Sequence, residues 1–233
     1  MQLLSFNSDA KTRKSNLRSS VFHTAILYLA PAKLSGHNVC PNATPGCKAS
    51  CLFTAGQGAF GTVKAARTRK THLFYDNREE FKQTLINDIK KFIVYNQKRG
   101  RKTAIRLNGT SDISWERIFP ELFTMFPDVQ FYDYTKNARR YLKYLDGDFP
   151  KNYHLTFSRS ERNDGIVNEI LQKNGTVAIV FDKVPEKYMG MNVQVGDDDD
   201  LRFLNFPGII GLKAKGKAGK DTTGFVVRNV KSN

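Results

Sequence analysis

Short apolar runs alternate with longer stretches whose apolar positions recur at helical spacing. Residues 24–30 (Thr-Ala-Ile-Leu-Tyr-Leu-Ala) read as a buried strand closed by Pro31. From about 63 to 98 the pattern turns helical, with Phe81, Leu85, Ile89, Phe92 and Ile93 at helical spacing and Gly100 beyond the end. The strand-then-helix unit then recurs. Residues 103–108, 129–135, 153–158 and 176–181 read as strands, and 115–126, 138–145 and 165–173 as helices. A last short strand, 208–213, follows an irregular stretch whose acidic run, Asp197 to Asp200, reads as a solvated turn.

About six strands alternating with helices predict βαβ units and a mainly parallel sheet. Six units are too few for a closed eightfold barrel. The expected fold class is therefore α/β, a partial (β/α)6 barrel of mainly parallel strands, with an open doubly wound sheet as the alternative. No internal repeat and no linker rich in Pro, Gly or Ser divides the chain. A single domain over 1–233 is expected, with a basic N-terminal segment (1–20) and a basic C-terminal tail (213–233).

In either architecture ligands gather at the C-terminal ends of the strands. Those ends carry polar clusters: Asn108-Gly-Thr-Ser-Asp112, Tyr134-Thr-Lys136, Ser158-Arg-Ser-Glu161, Asp182-Lys183 and Lys213. Gly109 admits close backbone approach to a ligand, while Asn108, Thr110 and Asp112 offer donors and acceptors. A plain turn with Ser111 or Ser114 capping the next helix is the competing reading. Arg106, inside its strand, needs an anionic partner if it faces inward.

Composition adds one constraint and one bias. No apolar run approaches the roughly 20 residues of a membrane span, and residues 1–20 are polar and basic, unlike a secretory signal. The bias is charge: 37 Lys and Arg against 22 Asp and Glu give +15. The excess concentrates at 11–18, at 64–102 and in Lys213, Lys215, Lys217 and Lys220. Such clusters attract polyanions, so a nucleic acid or nucleotide partner is expected beside the alternative of solvated surface.

The candidate chemistry lies in the loop after the first strand. Cys40, Cys47 and Cys51 are the only cysteines, spaced C-x6-C-x3-C. An odd set packed this closely is no disulfide framework and points to a reducing compartment. Thiolates bind soft metals, and three of them hold three corners of a 4Fe-4S cluster, leaving one iron open. A closed zinc site needs a fourth ligand, for which His37 is near in sequence. Gly56-Gln-Gly-Ala-Phe-Gly61 matches a phosphate loop only loosely and reads as tight folding around the metal, with Phe53 and Phe60 as shields.

Several segments resemble the bacteriophage family called gene product 88: residues 7–11, 24–32, the cysteine loop 40–51 with Thr54-Ala-Gly56, 211–216 and 221–225. That likeness implies a bacteriophage origin, and with the reducing compartment read from the cysteines the expected location is the host cytoplasm. The layout is also similar to that of radical S-adenosylmethionine (radical SAM) enzymes, which have a partial six-unit barrel and a three-cysteine loop after the first strand. Here the loop is C-x6-C-x3-C rather than C-x3-C-x2-C, and Ser50 precedes the last cysteine where an aromatic residue is common. The similarity implies that Asn108, Gly109 and Thr110 lie near the methionine amino group. It also implies Ser158 and Arg159 near the ribose or carboxylate; Lys213 joins these cofactor-binding candidates by its place at the last strand end.

The reading of function that follows is an iron–sulfur protein, radical SAM-like, acting on a nucleic acid or nucleotide. The alternative is a basic nucleic-acid-binding protein with a structural zinc or cluster. A hydrolase using Asp112, Glu161 or Asp182 with a divalent metal ranks behind both, because no carboxylate pair has diagnostic spacing.

Overall fold

The computed structural model describes residues 1–7, 10–54 and 56–230. Along the chain the elements are β1 (Leu4–Ser5), α1 (Ala10–Arg18), β2 (Phe22–Leu27), α2 (Pro45–Ala49), α3 (Gly61–Asp76) and α4 (Arg78–Gln97). Next come β3 (Lys102–Arg106), α5 (Trp115–Ile118), α6 (Glu121–Met125), β4 (Gln130–Thr135), α7 (Ala138–Leu145) and β5 (Tyr153–Ser158). The rest is α8 (Asp164–Gln172), β6 (Thr176–Phe181), β7 (Lys187–Tyr188), β8 (Met191–Val195) and β9 (Gly208–Lys213).

The fold is mixed α/β around one nine-stranded, mostly parallel sheet in the order β1-β2-β3-β4-β5-β6-β9-β8-β7. The six expected strands are its parallel centre, β2 through β6 and then β9, laid down in chain order. β1 joins β2 antiparallel, and a hairpin of β7 and β8 extends the other edge. Crossovers that all step the same way place their helices on one face of the sheet. The apolar packing agrees: Ile105, Phe131, Leu155 and Ile179 share one core with helix residues Phe81, Leu85, Trp115 and Ile170.

The opposite face is polar. It presents Thr24, whose hydroxyl meets that of Tyr132 at 2.7 Å, and Arg106, which pairs with Asp200 at 2.6 Å. Helix α1 and the stretch after β8 cover this face, with Thr12, Ser15, Leu201 and Arg202 all buried. The acidic run is therefore not a free turn. Asp200 is buried, its amide donates to Ser15 Oγ at 2.9 Å, and Lys11, Lys14 and Arg18 of α1 all reach the Asp197–Asp200 run. Burial opposes ionisation of Asp200, but Arg106, Lys11 and Arg202 outweigh it and hold the carboxyl well below its usual range.

Two expected helices are each split. Asn77 interrupts 63–98, and its side chain accepts the Glu80 amide at 3.2 Å as the N-cap of α4. Phe119-Pro120 interrupts 115–126, since proline has no amide to continue the first helix. α7, β5, β6 and β9 match the expected ranges residue for residue.

Candidate metal centre

The cysteine loop leaves β2 at Leu27 and crosses the C-terminal ends of the parallel strands. Its entry is pinned to α3 by the Ala30 amide donating to Thr71 Oγ1 at 2.9 Å. Its centre is α2, where Thr44 is the N-cap and accepts the Cys47 amide at 3.2 Å. The Thr44 hydroxyl donates to Glu161 Oε2 at 2.7 Å, and the Gly46 amide donates to Glu161 Oε1 at 2.8 Å. One carboxylate at the end of β5 thus clamps the loop. Burial would raise the Glu161 carboxyl, but these bonds overcome it and hold the group below its ordinary value. Gly46 has no room for a side chain: a Cβ there would stand 2.8 Å from both Glu161 Oε2 and Phe225 Cβ.

All three cysteines are half-buried and unpaired by disulfides. Cys40 packs on the main apolar core, and Cys47 on Phe225, Val226 and Ala218. Burial pushes the Cys40 thiol up to about 12 and raises that of Cys51. Without a metal, Cys40 is therefore a protonated thiol at neutral pH and a poor nucleophile. Cys47 acts electrostatically on both of these thiols, and Cys51 acts on Cys40.

The sulfurs do not converge as ligands of a single ion would. Among the described residues, the group of metal-ligating atoms within 4.8 Å of one another is His37, His72 and Asp76. His37 thus sides with α3 rather than with the cysteines. Three thiols remain a donor set for soft metals.

The other strand-end residues divide into two sets. Asn108 is buried, and its side chain is spent internally: Oδ1 accepts from Ser111, the Ile113 amide and Trp115, while Nδ2 donates to Ile113 and Asp133. Gly109 approaches its own chain, since a Cβ would lie 2.6 Å from Ile26 and Tyr28. Arg159 is likewise occupied, holding Asp164 at 2.7 Å and the carbonyls of Gly224 and Phe225. Lys213 is exposed, with its amide on Asp197. Thr110 and Ser158 are half-buried: the Thr110 carbonyl accepts weakly from Cys40 Sγ at 3.6 Å, and Ser158 Oγ takes the Lys136 ammonium at 2.6 Å.

Asp133 is the residue that sequence reasoning missed. It accepts the Asn108 amide and the Tyr153 hydroxyl, each at 2.6 Å, behind the site. Burial raises its carboxyl to about 7 against the pull of Tyr153, Arg106 and Arg140. The available signal was an acidic residue in the middle of an apolar strand, Gln-Phe-Tyr-Asp-Tyr-Thr.

Beside α2 an open cleft of ≈ 520 Å³ separates Ala49 and Ser50 from the 216–223 segment, with Lys217 and Lys220 on its wall. Among the described residues, no helix is long and apolar enough to cross a membrane. No curated protein and no solved structure matches the chain. One family model does match, over residues 2–229, and the chain accordingly belongs to the family described as gene product 88.

Proposed function

We propose that this is a bacteriophage iron–sulfur protein of the host cytoplasm, in which Cys40, Cys47 and Cys51 bind a 4Fe-4S cluster at the strand ends of a partial (β/α)6 barrel. We further propose radical SAM-like catalysis on a nucleic acid or nucleotide. The observation that carries the reading is the three-thiol loop, fixed by Glu161 across the C-terminal ends of parallel strands. Parallel strands in chain order, with the crossover helices on one face, are the arrangement from which such a sheet curls.

A bound cluster with one open iron supplies an electron and a coordination position for S-adenosylmethionine. The chain's own residues do the positioning. Asn108, Gly109 and Arg159 set the floor through internal bonds and close packing. Thr110, Ser158 and Lys136 present half-buried polar atoms toward the loop. The filled polar face of the sheet directs any ligand to the strand ends, and Lys217 and Lys220 give the adjoining cleft a charge suited to phosphate.

Anaerobic reconstitution with iron and sulfide tests the reading. The expected product is brown and carries about four irons per chain. Cys47→Ala should lose that iron, and reduction with S-adenosylmethionine should release 5′-deoxyadenosine. Colourless protein with stoichiometric zinc would refute the cluster. The second reading, a nucleic-acid-binding protein with a structural metal site, draws on exposed Lys90, Lys91 and Lys98 of the α4 region. Iron uptake without S-adenosylmethionine cleavage, together with oligonucleotide binding, would favour it.

A further inference from the structure

We propose that His37, His72 and Asp76 form a second metal site, separate from the cysteine loop, which takes a borderline divalent ion of the zinc class. The ligand atoms already lie within 4.8 Å of one another. His72 and Asp76 stand four residues apart on α3, a spacing that puts both on one helix face. His72 Nδ1 lies 3.7 Å from Asp76 Oδ2. Ligands around a tetrahedral ion with bonds of about 2.0–2.2 Å are separated by about 3.4 Å. The helix pair is thus close to bonding geometry before any ion arrives.

The third ligand separates this arrangement from an ordinary surface ion pair. His37 comes from a different segment, the turn leading to Cys40. Its ring is stacked on Tyr75 with centroids 4.0 Å apart and planes 7° apart. It meets the His72 ring edge-on at 5.5 Å. The Tyr75 hydroxyl donates to the Asn38 carbonyl at 3.3 Å, which fastens the same turn to α3. Helix and turn therefore hold two imidazoles and a carboxylate facing one point. His72 and Asp76 are exposed and His37 half-buried, so water can complete the coordination shell. Two nitrogens and one oxygen form a donor set for zinc, cobalt or nickel rather than for calcium or magnesium.

Cobalt(II) is the probe, because thiolate ligation gives a near-ultraviolet charge-transfer band that imidazole and carboxylate ligation do not. Metal-free full-length chain should bind one cobalt per molecule with visible d–d bands and no thiolate band at that site. His37→Ala, His72→Ala and Asp76→Asn should each lose the d–d signal while keeping the wild-type circular dichroism. Cys47→Ala should retain it. Replacing the stacking partner, Tyr75→Leu, should weaken uptake by about tenfold without removing a ligand. Wild-type protein that takes up no such cobalt would overturn the proposal. So would histidine variants that bind like wild type, or cobalt signals abolished by Cys47→Ala. Iron analysis of the same variants tests the cluster independently, so failure of one reading is distinguishable from failure of the other.

Discussion

Glu161 and Gly46 are joined across 115 residues of sequence by a 2.8 Å hydrogen bond, and the same carboxylate takes the Thr44 hydroxyl at 2.7 Å. The cysteine loop is thereby fastened from outside itself. Its position depends on β5 and not only on its own turns.

Glu161→Ala should free the loop while leaving the sheet intact. Two lost hydrogen bonds to a charged group correspond to roughly 3–6 kcal/mol of local opening. Hydrogen exchange over 44–51 should accelerate by at least about tenfold, with little change in global melting. Gly46→Ala should do the same by collision. Unchanged exchange in both variants would show that the clamp does not hold the loop.

Asp200→Ala should be among the most damaging single changes away from the apolar core. It strands Arg106 in the interior without its 2.6 Å partner, and breaking a buried pair typically costs about 3–5 kcal/mol. The apolar double replacement Arg106→Met with Asp200→Leu should recover most of that loss in urea unfolding. A double variant as unstable as the single one would argue that the ion pair is not the source of the damage.

His154 should make the protein acid-sensitive. Its Nδ1 lies 3.1 Å from the Tyr144 hydroxyl, while Nε2 is buried without a partner among the described residues. Burial, reinforced by Arg202, lowers its value to about 4. Because the folded value lies below the unfolded one, near 6.5, the unfolded chain binds the extra proton first. Stability from this group is complete above about pH 6.5 and is lost as pH falls towards 4, by roughly 2–3 kcal/mol. Subtracting the His154→Gln stability curve from that of wild type should isolate this slope; a flat difference would remove His154 as its cause.

Oligonucleotide binding, if it uses the cleft, should weaken by roughly 20- to 40-fold between about 50 and 200 mM salt for about three phosphate contacts. Lys217→Glu with Lys220→Glu should lower the salt slope by about 2. Lys14→Ala should leave the slope unchanged, because that ammonium is engaged by the Asp197 carbonyl. Equal effects of the two changes would relocate the interface to α1.

The sequence made the parallel centre of the fold legible because its strands are buried on both faces and bounded by polar turns. β5, β6 and β9 show this directly. The break at Asn77 had a readable sign, an Asn three residues before a Glu, but the continuous apolar periodicity around it concealed the cap. α1 was hidden for another reason: it buries Thr12 and Ser15 rather than large apolar groups. Its partners, Asp197 to Asp200, are nearly the length of the chain away. The cysteines and the strand-end clusters could be read from spacing and order. That Asn108 spends its amide inside the protein could not, because its partners Ile113, Trp115 and Asp133 come from a turn, a helix and a neighbouring strand.

The contact between Ser15 and Asp200 spans 185 residues. At a synthesis rate of about 5–20 residues per second, the first helix waits roughly 10–40 s before its partner leaves the ribosome. During that interval the polar face of the growing sheet lacks the second of its two covers. Assembly must therefore end with the two distant segments meeting, and the nascent chain is most open to proteases and chaperones just before they do.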